Sequence, residues 1–343
     1  MNTTTALIPS KLITKEALST EHTKSNYPLR AANVSSVPQR SPFRYPGGKT
    51  WLIPQARQWL RCVGNKEKSE LIEPFAGGAV ISLTAVMEGL VMKATLVELD
   101  KDIADVWRAI LGRNGKRLAD QIRNFKVTNE SLEAIFSAEP NNLRERAFRT
   151  ILKNRVNRNG IVAPGAGRLK RGEDNAGVAS RWYPSTLGDR IEAIVQVKSA
   201  FSVKNGDGLR YMLRRLEDEN AVYFIDPPYA KVGERLYRYG SINQERLFER
   251  ASKLRGRFLM TYNDSTEIRN LADKYGFEVR EILMNCGREK TELLISADLS
   301  WLPSEDERST HDDPKPPEQN QWSLPFLEPQ PTSNSKTDLH HVM

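Results

Sequence analysis

The residues best suited to chemistry follow a short apolar run in the second half of the chain. Asp226-Pro227-Pro228-Tyr229 comes directly after residues 222–225, and the carboxyl end of a strand is where open α/β sheets bind ligands. The Asp226 carboxylate and a carbonyl of the Pro227-Pro228 segment are acceptors for the two N–H groups of an aromatic amine, whose nitrogen they would make more nucleophilic. The prolines stiffen the turn, and Tyr229 offers a face to a planar ring. The alternative is a strand that ends in a rigid turn with a packed tyrosine.

A second cluster joins glycines to acids at the ends of other apolar runs. Residues 73–79 (Glu-Pro-Phe-Ala-Gly-Gly-Ala) turn from a strand-like run into an amphipathic segment, and glycines there allow a cofactor to approach the backbone. The segment lacks the full G-x-G-x-x-G pattern, and a glycine turn alone is a weak signal. Glu98 follows Gly77 by 21 residues, the spacing at which nucleotide-binding folds place an acid on ribose hydroxyls. Asp207 ends a third run and either meets the cofactor or caps a helix.

A third glycine motif lies at residues 44–50 (Arg-Tyr-Pro-Gly-Gly-Lys-Thr). It is not a phosphate-binding loop, because that pattern requires glycine where Phe43 stands and a preceding strand that is missing. A glycine hairpin that carries Tyr45 and Lys49 towards a cofactor fits better. A turn at the start of a helix is the alternative.

The elements that must position these residues alternate as in a βαβ fold. Apolar runs predict seven strands at residues 71–73, 95–98, 200–204, 222–225, 257–261, 277–282 and 292–296, and helical periodicity appears at residues 51–60, 79–87, 103–111 and 209–216. This alternation predicts an α/β fold with a mostly parallel sheet.

Two tails and a central stretch depart from the alternation. Residues 1–38 and 303–343 have the composition of disordered tails. Residues 39–112 and 196–300 would form the catalytic domain, and residues 113–195 an inserted module. Between Arg144 and Arg190 there are eleven Lys/Arg and four Asp/Glu. Most of the net charge of +8 therefore lies in this stretch, which favours a nucleic-acid partner.

The distribution of residue types excludes several classes of function. All four histidines (His22, His311, His340 and His341) lie near the ends of the chain. Cys62 and Cys286 are far apart in sequence. Hydrolysis by a Ser-His-Asp triad, a zinc site and a disulfide framework are therefore poor hypotheses. Because no long apolar segment or signal peptide is evident, we expect a soluble cytoplasmic protein.

Taken in order, the motifs resemble those of the Dam-type (D12 class) adenine-specific DNA methyltransferases over residues 41–298. The matching motifs are residues 44–49, 73–78, 97–100, Asn154-Arg155 with Asn159-Gly160, and residues 226–229. The resemblance implies a Rossmann-like, S-adenosylmethionine (SAM)-dependent fold with a seven-stranded, mostly parallel sheet and an inserted, mainly helical DNA-recognition module. It also implies transfer of the methyl group of SAM, without a metal, to N6 of an adenine flipped out of double-stranded DNA.

The resemblance further implies roles for individual residues. Catalytic roles are expected for Asp226, Pro227, Pro228 and Tyr229. Contacts with SAM are expected from Tyr45, Lys49, Phe75, Gly77, Glu98, Asp207 and Asp226. Contacts with DNA are expected from Arg44, Asn154, Arg155, Arg158, Asn159, Lys170 and Arg171. We expect a monomer that associates with the nucleoid through DNA. The sequence leaves open whether a restriction endonuclease or another defence protein is a partner.

The sequence departs from the family pattern at several positions. Gly77-Gly78 stands where Gly-x-Gly is common, Glu98 where aspartate is common, and Tyr45 where tryptophan can occur. Cofactor binding should survive these changes. Residues 161–183 do not follow the recognition sequence associated with GATC, so the target sequence does not carry over.

Two other functions remain open at this point. Cytosine N4 is a chemically similar amine and is methylated by enzymes with a related four-residue motif, although Asp226 favours adenine. A catalytically idle DNA-binding regulator would not need an intact motif at residues 226–229. A metal nuclease is disfavoured, because no acid-x-Lys cluster stands in a convincing context.

Overall fold

An eight-stranded, mostly parallel sheet lies at the centre of the protein. The computed structural model describes residues 29–44, 47–63, 69–163, 165–172, 177–229, 242–285 and 289–302. The strands are β1 (Leu29–Arg30), β2 (Glu70–Glu73), β3 (Lys93–Glu98), β4 (Phe201–Asn205), β5 (Ala221–Ile225), β6 (Arg257–Asn263), β7 (Glu278–Asn285) and β8 (Glu289–Ser296). Their order is β1-β7-β8-β6-β5-β2-β3-β4, and only β8 is antiparallel to its neighbours among these strands.

The order of the strands reverses between β2 and β5. From β2 the chain adds β3 and β4 on one side, and it then returns to add β5 and β6 on the other. Adjacent parallel strands whose connections leave in opposite directions open a crevice at their carboxyl ends. Glu73 ends β2 and Asp226 follows β5, so both motifs lie at this crevice.

Helices cover both faces of the sheet. They are α1 (Ile53–Val63), α2 (Val80–Met87), α3 (Lys101–Leu111), α4 (Gly115–Asn124), α5 (Asn129–Ser137), α6 (Leu143–Val156), α7 (Pro184–Gln196), α8 (Gly208–Leu213), α9 (Gln244–Ser252) and α10 (Thr266–Lys274). Along β5, Val222 and Phe224 pack on the side of α1 and α2, whereas Tyr223 and Ile225 pack on the side of α8, α9 and α10. Since β5 is buried on both faces, its sequence is a continuous apolar run.

Helices α4 to α7 occupy the stretch predicted to be a mainly helical insert. Leu118 of α4, Phe148 of α6 and Ile191 of α7 belong to one buried cluster with Trp107 of α3 and Leu96 of β3. These helices therefore share a core with the sheet, and this packing gives the residues that follow α6 a defined position. None of the helices in the described residues is long and apolar enough to cross a membrane.

All seven strands predicted from the sequence are present, but the sequence misses β1. Leu29 pairs with Ile282 of β7, and both Leu29 and Val37 are buried. The prediction of a disordered tail is therefore wrong for residues 29–38. Two separated apolar residues give no periodic pattern, yet each finds partners in the core. Residues 1–28 and 303–343 lie outside the described residues.

Candidate active site

A cavity of about 1760 Å³ opens along the carboxyl ends of β2, β3 and β5. Most residues predicted to act line it: Arg44, Lys49, Phe75, Gly77, Glu98, Arg155, Asn159, Asp207, Asp226, Pro227, Pro228 and Tyr229. The predicted residues outside its lining are Asn154, Arg158, Lys170 and Arg171. Tyr45 lies outside the described residues. Among the residues that the structure describes, no three His, Cys, Asp or Glu side chains are grouped as a metal site.

The Asp226 carboxylate is held at the cavity wall by side chains from two other segments and by Tyr229 of its own turn. Lys49 Nζ lies 2.8 Å from Asp226 Oδ1, and the Thr261 hydroxyl donates to the same oxygen at 2.9 Å. The Tyr229 hydroxyl lies 3.3 Å from Oδ1. Burial raises the pKa of Asp226, and the positive charge of Lys49 opposes that rise. Lys49 therefore favours the ionised form of Asp226, the form that accepts hydrogen bonds.

Glu292 of β8 completes this network and was not predicted from the sequence. Its side chain is 3% exposed, and its Oε2 lies 3.7 Å from Lys49 Nζ and 3.2 Å from the Tyr229 hydroxyl. Burial opposes the charge on Lys49, but Asp226 and Glu292 together raise its pKa. Glu292 is the one charged residue in the run 292–296. Since a buried charge needs a partner, this exception to the apolar pattern was the available sign of a role for Glu292.

The ring and the hydroxyl of Tyr229 are both engaged. The ring stacks on Tyr262 with centroids 5.1 Å apart, and Lys49 Nζ lies 5.3 Å from the Tyr229 centroid. Burial, with the nearby charges of Asp226 and Glu292, raises the pKa of Tyr229, so its hydroxyl remains a donor. These contacts hold the phenol in place. Tyr262 therefore covers one face of the Tyr229 ring, which leaves at most the other face for a planar ligand.

Glu98 and Gly77 meet at the end of β3. The Gly77 N–H donates to Glu98 Oε2 at 2.9 Å, and the Asp100 N–H donates to Oε1 at 2.8 Å. Gly77 has a φ of 44°, a left-handed conformation that glycine adopts readily. Burial raises the pKa of Glu98 to about 7. Each carboxylate oxygen keeps a further lone pair that can accept from a ligand hydroxyl.

Glu73, at the end of β2, is a second buried acid in the cavity for which the sequence predicted no role. Its Oε1 accepts the Ser82 N–H at 2.6 Å. Burial raises its pKa to about 8, and the nearby charge of Asp226 adds to the rise. At neutral pH Glu73 is therefore mainly protonated, which limits the negative charge next to Asp226.

Asp207 serves as the cap that the sequence allowed. Its Oδ1 accepts the Leu209 N–H at 2.8 Å at the start of α8. The residue also lines the cavity, and so does Phe75, which packs in the same partly buried cluster as Tyr229. Capping does not exclude contact with a ligand, because the second carboxylate oxygen can still accept.

Comparison with known proteins identifies the family. The model of the D12 class N6 adenine-specific DNA methyltransferases matches residues 45–285, which is more than two thirds of the chain. The chain belongs to this family. It is therefore a DNA methyltransferase that acts on N6 of adenine, and membership implies SAM as the methyl donor and DNA as the substrate. The family match favours adenine N6 over the alternatives of cytosine N4 methylation and an idle regulator.

Solved structures give weaker likenesses. An uncharacterised protein from Listeria monocytogenes serotype 4b is 8% identical, with 74% of this chain and 67% of that chain covered and a TM-score of 0.33. A putative RNA methyltransferase from Pyrococcus horikoshii is 12% identical, with 78% and 91% covered and a TM-score of 0.34. The rRNA methyltransferase aviRa from Streptomyces viridochromogenes is 12% identical, with 78% and 93% covered and a TM-score of 0.36. A search of curated proteins gives no significant match.

Asn154 of the methyltransferase is buried, which contradicts the predicted contact with DNA. Its side chain lies in the core and is 1% exposed. Oδ1 accepts the Arg44 N–H at 2.8 Å, and Nδ2 donates to the carbonyls of Arg44 at 2.9 Å and Gly160 at 2.7 Å. Asn154 thus ties the end of α6 to the segment that leads into the Gly47-Gly48-Lys49 turn. Its amide groups are taken by backbone, so they cannot read DNA.

Of the remaining predicted DNA contacts, Arg44 is exposed and lines the cavity, and the others fall into two groups. Arg155 is 4% exposed and donates to the Pro42 carbonyl, so DNA could reach it only inside the cavity. The exposed group flanks a hairpin closed by an antiparallel bridge between Asn157 and Arg168, with the Arg158 N–H donating to the Gly167 carbonyl at 2.9 Å. Its members are Arg158, Asn159, Lys170 and Arg171. Their contact with DNA stays a prediction.

Proposed function

We propose that the methyltransferase acts at one short DNA sequence, and that SAM and the target adenine meet in the cavity at the ends of β2, β3 and β5. The observation that carries this proposal is the Asp226 carboxylate, held at the cavity wall by Lys49 and Thr261. A carboxylate fixed in this way is suited to bind an exocyclic amine during its reaction.

Adenine has to leave the duplex to reach this carboxylate. The Asp226 side chain is 23% exposed and lies in a recess rather than on a protruding surface. A base within a stacked duplex cannot enter such a recess, and enzymes that modify bases extrude them at a cost of a few kcal/mol. Tyr262 stacks on one face of Tyr229, so the other face is the candidate surface for the extruded ring, with Lys49 Nζ close to the same ring.

Asp226 and the turn that follows it can activate the amine. The three donors recorded on Asp226 from the described residues act on Oδ1, which leaves Oδ2 to accept one N6–H of adenine. A carbonyl of the Pro227-Pro228 segment can accept the other N–H, since proline has no N–H to compete for it. Two acceptors draw the lone pair back onto nitrogen and favour attack on a methyl group, an effect worth several kcal/mol.

The other side of the cavity fits SAM. Glu98, Asp207 and Asp226 suit a ligand with positive charge and ribose hydroxyls, whereas Glu73 is mainly protonated at neutral pH. Glu98 is the candidate to bind the ribose hydroxyls of SAM. The Gly77 N–H donates to Glu98 and so holds the carboxylate at this end of the cavity. Phe75 supplies apolar surface for the adenosine ring. When bound, SAM supplies a methyl group already activated by its sulfonium.

We assign recognition of the duplex to residues 113–195, through the exposed hairpin that follows α6. Arg158, Asn159, Lys170 and Arg171 are exposed there. Arg44 lies on the cavity wall, and its backbone N–H donates to the Asn154 side chain near the end of α6. Exposed cations suit phosphates and base edges.

Sequencing that reports modified bases tests the proposed function. The enzyme and its Asp226→Asn variant would be expressed in a host without adenine methylation, and the genomic DNA read by single-molecule sequencing. We expect N6-methyladenine in one short motif with the wild type and none with Asp226→Asn, although the variant still binds DNA. A predominance of N4-methylcytosine, no modified base with a folded wild type, or unchanged activity of the variant would contradict the proposal.

A further inference from the structure

Most of the arginines on the cavity wall lie apart from the acids, which follow the strand ends of the sheet. Four of the five arginines in the lining, Arg44, Arg155, Arg181 and Arg190, come from the 41–44 segment and from residues 113–195, whereas Arg246 belongs to α9 and Lys49 lies beside Asp226. Arg181 and Arg190 were not among the predicted site residues. The separation indicates two kinds of ligand, a cation near the acids and an anion near the arginines.

Arg155 and Arg190 are held by the same short segment of backbone. Arg155 donates to the Pro42 carbonyl, and Arg190 Nη1 donates to the Ser41 carbonyl at 3.1 Å. Arg155 is 4% exposed, and its Nε is buried without a hydrogen-bond partner among the described residues. Buried donors are nearly always satisfied in folded proteins. Because Arg155 lines the cavity, a ligand that accepts hydrogen bonds and enters there could satisfy this guanidinium.

The charges around Arg155 point to an anion. Burial, together with the positive charges of Arg190 and Arg44, lowers the pKa of Arg155 to about 9, whereas Tyr183 opposes the shift. Burial also lowers the pKa of Arg190. Neither arginine forms an ion pair with a carboxylate of the described residues, unlike Arg123, which pairs with Asp189 and Glu192. Two neighbouring desolvated cations repel each other, and a bound anion would remove that cost.

We propose that Arg155 and Arg190 form a seat for a phosphodiester next to the extruded adenine. The seat rests on the proposed function, because the phosphate enters the cavity with the flipped nucleotide. Guanidinium groups bind phosphate oxygens through charge-assisted, often bidentate hydrogen bonds, so two of them can fix one phosphate. Such a phosphate would set the depth and orientation of the target nucleotide at Asp226.

The test uses a duplex in which one adenine lies opposite an abasic position. An unpaired base is extruded at low cost, so the duplex serves even before the target sequence is known. The phosphodiesters on both sides of the adenine are either natural or replaced by neutral methylphosphonates. Dissociation constants of the full chain are measured for both duplexes, and thermal melting checks that each variant is folded.

We expect the neutral linkages to weaken binding by the wild type about 10- to 100-fold, the range for hydrogen bonds to charged groups. Arg190→Gln should bind the natural duplex about tenfold more weakly than the wild type does, and replacing the phosphodiesters by neutral linkages should weaken its binding little further. Arg155→Gln should behave in the same way, and Arg190→Lys should keep most of the wild-type difference. The control is Arg255→Gln, which removes a charge paired with Glu217 and Glu219 just before β6 and should keep the full difference.

The proposed seat is wrong if the two duplexes differ in affinity as much for Arg190→Gln and Arg155→Gln as they do for the wild type. SAM binding without DNA is a second arm of the test. If Arg190→Gln weakens SAM binding about tenfold and leaves the duplex difference unchanged, the arginines hold the carboxylate of SAM and the proposal is wrong. Failure of the proposed function would appear separately, as a wild type that methylates no DNA.

Discussion

Lys49 and Glu292 should shift the pH dependence of methyl transfer in opposite directions. Asp226 has to be ionised to accept the amine of adenine, and its pKa is raised by burial, lowered by the charge of Lys49 and raised by the charge of Glu292. Lys49→Met removes the positive charge, so Asp226 stays protonated to a higher pH and the acidic limb of the rate profile moves up. Glu292→Gln removes the negative charge and moves that limb down.

The cost of losing Lys49 follows from its surroundings. Lys49 is 3% exposed and lies 2.8 Å from Asp226 Oδ1, whereas Asp226 is 23% exposed. Removing one partner of a buried ion pair costs about 3–5 kcal/mol, and the exposed edge of Asp226 places Lys49→Met near the lower end. At about 2 °C per kcal/mol, the lower end of the range for domains of 150–250 residues, a loss of about 3 kcal/mol lowers the melting temperature by roughly 6 °C. Glu292→Gln should cost less, because glutamine can still accept from Tyr229.

The assay is transfer of labelled methyl groups from saturating SAM to DNA between about pH 5.5 and 9, the range in which a raised carboxylate pKa is visible. Lys253→Met is the matched control, because Lys253 is exposed and pairs only with Glu249 among the described residues. It should leave the acidic limb in place. If both site variants move the limb in the same direction, or if neither moves it, Asp226 is not the group that titrates. Thermal melts recorded at the same pH values separate titration from unfolding.

Three further predictions concern stability and DNA contact. In the folded protein the pKa of Glu73 is about 8, whereas in the unfolded chain it is near 4.5. The folded state therefore binds one proton more between these pH values, and the free energy of unfolding of the wild type should fall as pH rises from about 4.5 towards 8. The fall due to this proton is at most about 1.4 kcal/mol per pH unit. Glu73→Gln should flatten that slope in urea unfolding, and an unchanged slope would show that Glu73 is ionised. Asn154→Ala removes three hydrogen bonds to backbone and should lower the free energy of unfolding by about 1–3 kcal/mol. It should leave the salt dependence of DNA binding unchanged. A smaller dependence of binding on salt would instead place Asn154 in the DNA interface. The exposed Arg158 should behave in the opposite way. Arg158→Gln should reduce the slope of the logarithm of the DNA-binding constant against the logarithm of salt concentration by about 0.9 and leave thermal stability unchanged. An unchanged slope would show that Arg158 does not contact DNA.

Most of the sheet was predictable because its central strands carry their own signal. A strand buried on both faces is a continuous apolar run, as in residues 222–225, and such a run needs no distant partner to be recognised. β1 carries no such signal, since two residues have no period. It exists because Leu29 finds Ile282 across more than two hundred residues of sequence.

The site was predictable to the extent that its residues follow strands. Asp226 and Glu98 each come at the end of an apolar run, and parallel strands bring their carboxyl ends to one edge. Glu292 was missed because it enters the site from β8, which is antiparallel to β6 and β7. Its direction in the sheet is decided by pairing and not by local sequence.

The amino-acid sequence by itself determined the order of the elements, the motif at residues 226–229, the localised basic charge and the resemblance to the family. These are local properties of residue type and spacing. Only the tertiary structure decided that Asn154 is a buried tie rather than a DNA contact, that Lys49 lies between Asp226 and Glu292, and that Arg155 and Arg190 share one cavity wall. The physical reason is that burial and charge pairing depend on which distant segments meet, and the same asparagine or arginine reads DNA or supports a loop according to those neighbours.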